Sequence, residues 1–74
     1  MIKDRLEVIF RQSFEIERFT EYLSIDNVPG WDSMAHVSLI LAPQKEFAIS
    51  ISSADAMELT SVKNVIQYLA NRIA

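Results

Sequence analysis

Hydrophobic residues recur at three- and four-residue spacing over the first fourteen positions of the chain, and charged residues occupy the positions between them. This spacing is typical of an amphipathic α-helix that buries one face. The recurring apolar positions are Ile2, Leu6, Ile9, Phe10 and Phe14. The pattern predicts a first helix over roughly residues 2–14.

The segment from Glu15 to Gly30 lacks a clear period. Turn-forming residues accumulate between Ser24 and Gly30, which favours a long ordered loop. Loops of this length are uncommon in small domains and are often functional. The apolar side chains expected to anchor it are Phe19, Leu23, Ile25 and Val28.

A second helix is predicted to begin at about residue 33. Asp32 and Ser33 both carry a short side-chain oxygen that can accept a hydrogen bond from an unpaired first-turn N–H, so either could be the cap. The helix has more apolar residues than one buried face requires, and we expect part of that surface to stay exposed or to contact a partner. These residues are Met34, Val37, Leu39, Ile40, Leu41 and Phe47.

Residues 48–52 alternate apolar and polar positions, as a short strand does. No second strand is available to pair with them, so we interpret the segment as a connector with Ile49 and Ile51 turned inward. Ser52 or Ser53 can then cap a short third helix that runs to Met57.

The last helix is predicted to start after Thr60 or Ser61, either of which can cap it. Its apolar stripe consists of Val62, Val65, Ile66, Leu69 and Ile73. The chain therefore predicts an all-α four-helix bundle with three longer helices, one short helix and a long loop between the first two helices.

The chain has 74 residues, and we expect residues 1–74 to form one small domain that buries only about 60 % of its unfolded surface. Its apolar runs are far shorter than the roughly 18 residues that cross a bilayer, and charges lie near its start. We expect a soluble, monomeric, cytoplasmic protein without a signal peptide. There is no cysteine, so any thiol chemistry needs a borrowed thiol, and no metal site is expected.

Charge is unevenly distributed along the chain. Residues 19–62 hold six acidic side chains and a single basic one, Lys45, although the net charge of the whole chain is only −3. Such a field repels nucleic acid and anionic lipid and favours basic protein surfaces. An acidic surface that only keeps the protein in solution would explain the charges equally well.

Ser33 is the residue with the clearest chemical potential, and two hypotheses fit it. As a nucleophile it would need His36 as base and Asp32 as orienting acid, but the hydrolase elbow has glycines where this chain has Trp31 and Ala35. We therefore favour the interpretation that the chain has no catalytic residue and that His36 is an exposed residue of the helix. The other hypothesis is an attachment point, because unpaired N–H groups at a helix start favour a phosphate.

The stretch Gly30-Trp31-Asp32-Ser33-Met34 and the residues that follow it resemble the acyl carrier proteins, which are phosphopantetheine-bearing carrier domains. The order of the helices matches over essentially the whole chain. The matching positions after this stretch are Val37, Leu39-Ile40-Leu41, Lys45-Glu46-Phe47 and Thr60-Ser61-Val62.

The resemblance implies that a phosphopantetheinyl transferase moves 4'-phosphopantetheine from coenzyme A onto Ser33 Oγ and recognises Asp32 beside it. The arm would hold acyl cargo as a thioester, and the protein would be a carrier rather than an enzyme. The implied pathways are fatty acid, specialised lipid or polyketide synthesis. The alternatives are an aminoacyl or peptidyl carrier and an unmodified helical protein-interaction module.

The resemblance also implies partners, namely acyl-loading, condensing and other biosynthetic enzymes with basic docking surfaces. The candidate contact residues are Met34, Leu41, Asp55 and Glu58. In place of several family acids the second helix has Ser38, Gln44 and Lys45, which argues against docking to standard fatty-acid synthase enzymes. Trp31 before Asp-Ser is more similar to stand-alone carriers of dedicated pathways.

Pro43 is a further departure, since the family has a large apolar residue there. Proline lacks the N–H that would bond to the carbonyl of Leu39, and it costs about 3 kcal/mol in a helix interior. We therefore expect the second helix to bend or break at residues 39–43. The resemblance implies that this change reshapes the cavity in which the family shelters acyl chains.

Overall fold

The computed structural model describes residues 2–73, which form four α-helices. The helices are α1 (Ile2–Ser13), α2 (Ser33–Phe47), α3 (Ser53–Ala56) and α4 (Val62–Ile73). No strand is present in this part of the chain, so the predicted all-α four-helix bundle is confirmed. Among residues 2–73, no helix combines the length and the apolar composition that a membrane-spanning segment requires.

One hydrophobic core joins α1, α2 and α4 with the long loop. α1 contacts both α2 and α4, and its Leu6 and Phe10 are completely buried in the same cluster as Leu39 and Leu69. Burying one such side chain stabilises the fold by about 1.5–3 kcal/mol. The remaining buried apolar residues are Ile9, Phe14, Val28, Trp31, Ile40, Leu59, Val62 and Val65.

The long loop is ordered by two contacts with the start of α4. The N–H of Ile25 donates to the carbonyl of Thr60 at 2.9 Å, and the N–H of Val62 donates to the carbonyl of Leu23 at 2.9 Å. The predicted anchors Phe19, Leu23, Ile25 and Val28 are all half-buried or buried. The ordered loop is therefore as predicted, and its pairing with the α4 start is a tertiary feature.

α2 runs without a break through Pro43, whose side chain is fully buried. The helix therefore does not end at the proline, and the bend over residues 39–43 stays a prediction. Beyond the proline, the Gln44 side chain donates to the carbonyl of Ile40 and accepts the N–H of Ile51, each at 3.2 Å. Gln44 thus joins α2 to the connector, in which Ile49 and Ile51 are turned inward as predicted.

The helix ends differ slightly from the predicted ones. α1 ends one residue early, and Met57 is the C-cap of α3 rather than its last residue. Ser52 caps α3 and Ser61 caps α4, and in each case the side-chain oxygen accepts the N–H three residues later at 3.1 Å. Ile73 is 42 % exposed, so the buried stripe of α4 ends one turn earlier than the pattern suggested.

Candidate functional site

At the start of α2, the residue that caps the helix and the candidate serine are two different, adjacent residues. Asp32 has extended backbone geometry, and its Oδ1 accepts the N–H of Ala35 at 2.9 Å. The Asp32 carbonyl accepts the first intrahelical bond, from the N–H of His36, at 2.8 Å. Ser33 is the first helical residue and is exposed, and its hydroxyl makes no hydrogen bond to any of residues 2–73. Asp32 is therefore the cap, and the Ser33 Oγ is open to solvent.

Trp31 anchors the turn that leads into Asp32. Its indole is only 3 % exposed, stacks on Phe14 with ring centroids 5.7 Å apart, and meets Phe10 edge to face at 5.3 Å. Gly30 before it has a φ of 88°, which side-chain-bearing residues rarely adopt, although an added Cβ would lie 3.9 Å from Phe14. Conformation rather than space therefore explains the glycine.

His36 is half-buried, so the prediction of an exposed helical histidine is wrong. The indole Nε1–H of Trp31 donates to His36 Nδ1 at 3.0 Å, and His36 Nε2 lies 2.8 Å from the carbonyl oxygen of Ala56. Because Nδ1 accepts, Nε2 carries the proton and donates to Ala56. The helical pattern gave no sign of this burial, because Ala56 lies twenty residues away and Trp31, although only five residues before His36, is placed by its packing in the core.

These contacts also bear on the hydrolase hypothesis. Neither imidazole nitrogen of His36 bonds to Ser33, because one faces Trp31 and the other faces Ala56. The Asp32 carboxylate accepts a backbone N–H and does not orient the imidazole. The serine, histidine and aspartate are therefore close in sequence but are not assembled as a catalytic triad.

An apolar groove of about 310 Å³ lies between α2 and α3. His36 and Val37 line it and fall one turn after Ser33 on the same side of α2, so the groove begins next to the serine. Its apolar lining consists of Val37, Ile40, Leu41, Ile51, Ala56 and Met57.

The candidate apolar contacts lie on the exposed side of α2. Met34 is 83 % exposed and Leu41 is 52 % exposed, and Val37 between them is also exposed. The expectation that part of the apolar surface of α2 stays uncovered is therefore confirmed. Sequence reasoning did not single out Met57, which lies across the groove and is exposed as well.

The two candidate acidic contacts differ in their surroundings. Asp55 Oδ2 accepts from the hydroxyl of Tyr68 at 2.8 Å and from Arg72 Nη2 at 3.2 Å, so this carboxylate joins α3 to α4. Partial burial, followed by the bond to Asp55, raises the pKa of Tyr68. The Arg72 guanidinium lies 4.8 Å from the Tyr68 ring centroid. Glu58 is exposed.

Within residues 2–73 no group of three or more histidine, cysteine, aspartate or glutamate side chains is arranged to hold a metal ion. The one chemically distinctive feature of this surface is the open serine hydroxyl, beside a capped helix start and an apolar groove.

No protein-family profile matches the chain. It is 31 % identical over 74 residues to an acyl carrier protein of Buchnera aphidicola, covering 96 % of this chain and 91 % of that protein. An acyl carrier protein of Nitratidesulfovibrio vulgaris is 37 % identical over 43 residues, which span 58 % of this chain and 57 % of that protein.

A solved structure from Mycobacterium tuberculosis, provisionally described as an acyl carrier protein, has the same fold. It superposes with a TM-score of 0.84 over 96 % of this chain and 97 % of its own, at 24 % identity. The sequence match to the Buchnera protein extends over nearly the full length of both chains. On this ground the chain belongs to the acyl carrier protein family.

Proposed function

We propose that Ser33 Oγ is the attachment site of 4'-phosphopantetheine and that residues 1–74 act as one carrier domain for acyl groups held as thioesters. Family membership supports a carrier role in general. The observation that supports the specific proposal is that Asp32 and Ser33 have different roles at the start of α2. Asp32 caps the helix, which leaves the adjacent Ser33 hydroxyl exposed and unbonded within residues 2–73.

The residues around Ser33 suit a phosphodiester. The backbone N–H groups of Ser33 and Met34 precede the first intrahelical bond, and the dipole of the 15-residue α2 favours negative charge at this end. Loading forms a bond from Ser33 Oγ to phosphorus and breaks the pyrophosphate of coenzyme A. Adenosine 3',5'-bisphosphate leaves, and the hydroxyl proton passes to the transferase or to water. The attached group supplies the thiol that this cysteine-free chain lacks.

The groove between α2 and α3 supports a role in sheltering cargo. It begins one turn from Ser33 and is lined mainly by aliphatic side chains, including Val37, Ile40 and Ile51. Covering the apolar part of an acyl group there removes it from water at about 25 cal/mol per Å². We assign the groove to the apolar segment of the cargo nearest the arm.

The exposed side of α2 supports docking of enzymes that load or process the cargo. Met34 and Leu41 offer apolar contacts there, whereas Glu58 offers an exposed charge for a basic partner surface. Asp55 is bonded to α4, so we assign it a weaker role in docking. Phosphopantetheinyl transferase is the first partner, and enzymes of fatty acid, specialised lipid or polyketide synthesis are the others.

Intact mass spectrometry after incubation with coenzyme A and a broad-specificity phosphopantetheinyl transferase tests the proposal. The wild-type protein should gain one phosphopantetheine group, and Ser33→Ala should gain none. Ser38→Ala is the matched control, because Ser38 is also an exposed serine of α2 and its loss should leave loading intact. A folded wild type that stays unmodified would instead favour an interaction module without an arm.

A further inference from the structure

α3 is held in place by few side-chain contacts. It has only four residues, and none of them is buried. Towards α4 it is tied by the Asp55 carboxylate to Tyr68 and Arg72. Towards α2 it is tied by the bond from His36 Nε2 to the carbonyl oxygen of Ala56. A helix this short has little stability of its own, so α3 is placed by these bonds together with the packing of Ala56 and the buried Leu59 against the core.

The tie from His36 crosses the groove. His36 stands on α2 and Ala56 ends α3, and both residues line the groove beside Ser33. At this point the two walls are therefore joined by one hydrogen bond, 2.8 Å long. Any widening of the groove at its serine end has to break that bond.

Trp31 fixes the direction of the His36 donor. Its Nε1–H can only donate, so His36 Nδ1 must accept, and the single imidazole proton is placed on Nε2, which faces Ala56. The two rings also stack, with centroids 6.1 Å apart and planes 24° apart. Since Trp31 is buried among Phe10 and Phe14, this support belongs to the core and does not move with α3.

We propose that His36 is a positioning residue that holds α3 against α2 and sets the width of the groove beside Ser33, with Trp31 fixing the tautomer and orientation of its imidazole. The inference rests on the proposed function only in assigning the groove to cargo. An acyl group that fits the groove as it stands enters without moving α3. A bulkier group has to break the bond between His36 and Ala56.

The first test uses the unmodified protein, so its outcome does not depend on loading. Nitrogen-detected NMR of the imidazole should show the neutral Nε2–H tautomer in wild type and a mixture of tautomers in Trp31→Phe. His36→Phe keeps a flat ring but removes the donor. It should speed hydrogen exchange of the amides of Ala56, Met57 and Leu59 by about two- to tenfold, with amides of α1 and α4 unchanged.

Ser38→Ala is the matched control for these measurements and should behave as wild type. Unchanged exchange in His36→Phe, or equal acceleration in all four helices, would overturn the positioning role. The Nδ1–H tautomer in wild type would do so as well. None of these results bears on whether Ser33 is loaded.

The second test concerns groove width in loaded protein. The transferase loads Ser33 from acyl-coenzyme A donors whose straight-chain and branched acyl groups have equal carbon number, with adenosine 3',5'-bisphosphate leaving. Thioester cleavage by hydroxylamine is then timed. Wild type should protect the straight chain more than the branched one, and His36→Phe should reduce that ratio towards one. A ratio unchanged by the substitution contradicts the inference, whereas a wild type that accepts no arm contradicts the proposed function instead.

Discussion

Asp32 and Ser33 are adjacent at the start of α2, but the side chain of Asp32 bonds to the helix and that of Ser33 faces solvent. Asp32 Oδ1 accepts the N–H of Ala35 at 2.9 Å, and Ser33 presents its hydroxyl to solvent. A serine used as the cap would direct its oxygen back onto the helix. Because the carboxylate takes that role, the hydroxyl can be exposed without a loss of helix stability.

Two substitutions of Asp32 separate its capping role from the proposed recognition of its charge by the transferase. Asp32→Asn keeps a capping oxygen but removes the charge, so thermal stability should change little while loading of Ser33 slows. Asp32→Ala removes both and should also lower the free energy of unfolding by about 1 kcal/mol. Thermal unfolding and the rate of mass gain with coenzyme A and transferase measure the two effects. Equal loading rates for Asp32→Asn and wild type would show that the charge is not recognised.

The raised pKa of Tyr68 predicts that the folded protein loses stability in alkaline solution. Its pKa is raised in the folded state, so the neutral phenol is favoured by folding. This contribution is fully present below the ordinary value of 10.0 and is lost as the pH rises above it through the folded-state pKa. Tyr68→Phe should therefore show a flatter fall in stability above pH 10 than wild type.

Urea unfolding at a series of alkaline pH values measures this difference. The matched control is Tyr22→Phe, since Tyr22 is 78 % exposed and should leave the wild-type pH profile intact. The effect should be modest, because Tyr68 is only half-buried and the nearby Arg72 opposes the shift. A profile for Tyr68→Phe that coincides with wild type would contradict the prediction.

The exposed apolar residues of α2 should matter for partners and not for folding. Met34→Ala and Leu41→Ala should each change the free energy of unfolding by less than about 0.5 kcal/mol, because both side chains are mostly exposed. Each should lower kcat/KM of the transferase or of a loading enzyme. Val8→Ala is the matched control, an exposed apolar residue of α1 that should leave kcat/KM unchanged. If Met34→Ala and Leu41→Ala changed kcat/KM no more than Val8→Ala does, a docking role for the α2 surface would be excluded.

Replacing the buried Pro43 tests the predicted bend of α2. Pro43→Leu restores an N–H for the carbonyl of Leu39 and recovers about 3 kcal/mol of helix stability. The larger side chain has to fit a fully buried site, which costs about 1–3 kcal/mol. We expect a net stabilisation of about 1 kcal/mol in urea unfolding, and residual dipolar couplings that show a straighter helix. Unchanged stability together with unchanged couplings would refute the bend.

Local patterns were sufficient to predict the helices and to limit the caps of α2, α3 and α4 to two candidates each. The apolar period over residues 2–14 and the short polar side chains before α3 and α4 act over three or four residues, and a cap or a turn is complete within that distance. Of the two outcomes expected at Pro43, a bend or a break, the break does not occur, because α2 is continuous through the proline. Tertiary packing around a buried side chain can stabilise a helix against an unfavourable local residue.

The role of His36 could not be predicted in the same way. It was expected to be an exposed helical residue, yet its partners are the indole of the buried Trp31 and a carbonyl twenty residues away. The contacts of Asp55 with Tyr68 and Arg72 likewise span 13 and 17 residues. No local signal marks such pairs, because they exist only after the helices have packed.

By itself the sequence determined where the helices lie, which residues can cap them and which serine stands at the start of α2, since all of these depend on hydrogen bonds and apolar spacing within about one turn. The tertiary structure decided that the buried Trp31 bonds to a half-buried His36, that Asp55 joins α3 to α4, and that α3 faces α2 across an apolar groove beside Ser33. These features depend on the relative placement of segments that are brought together only when the apolar faces of the helices are buried against one another.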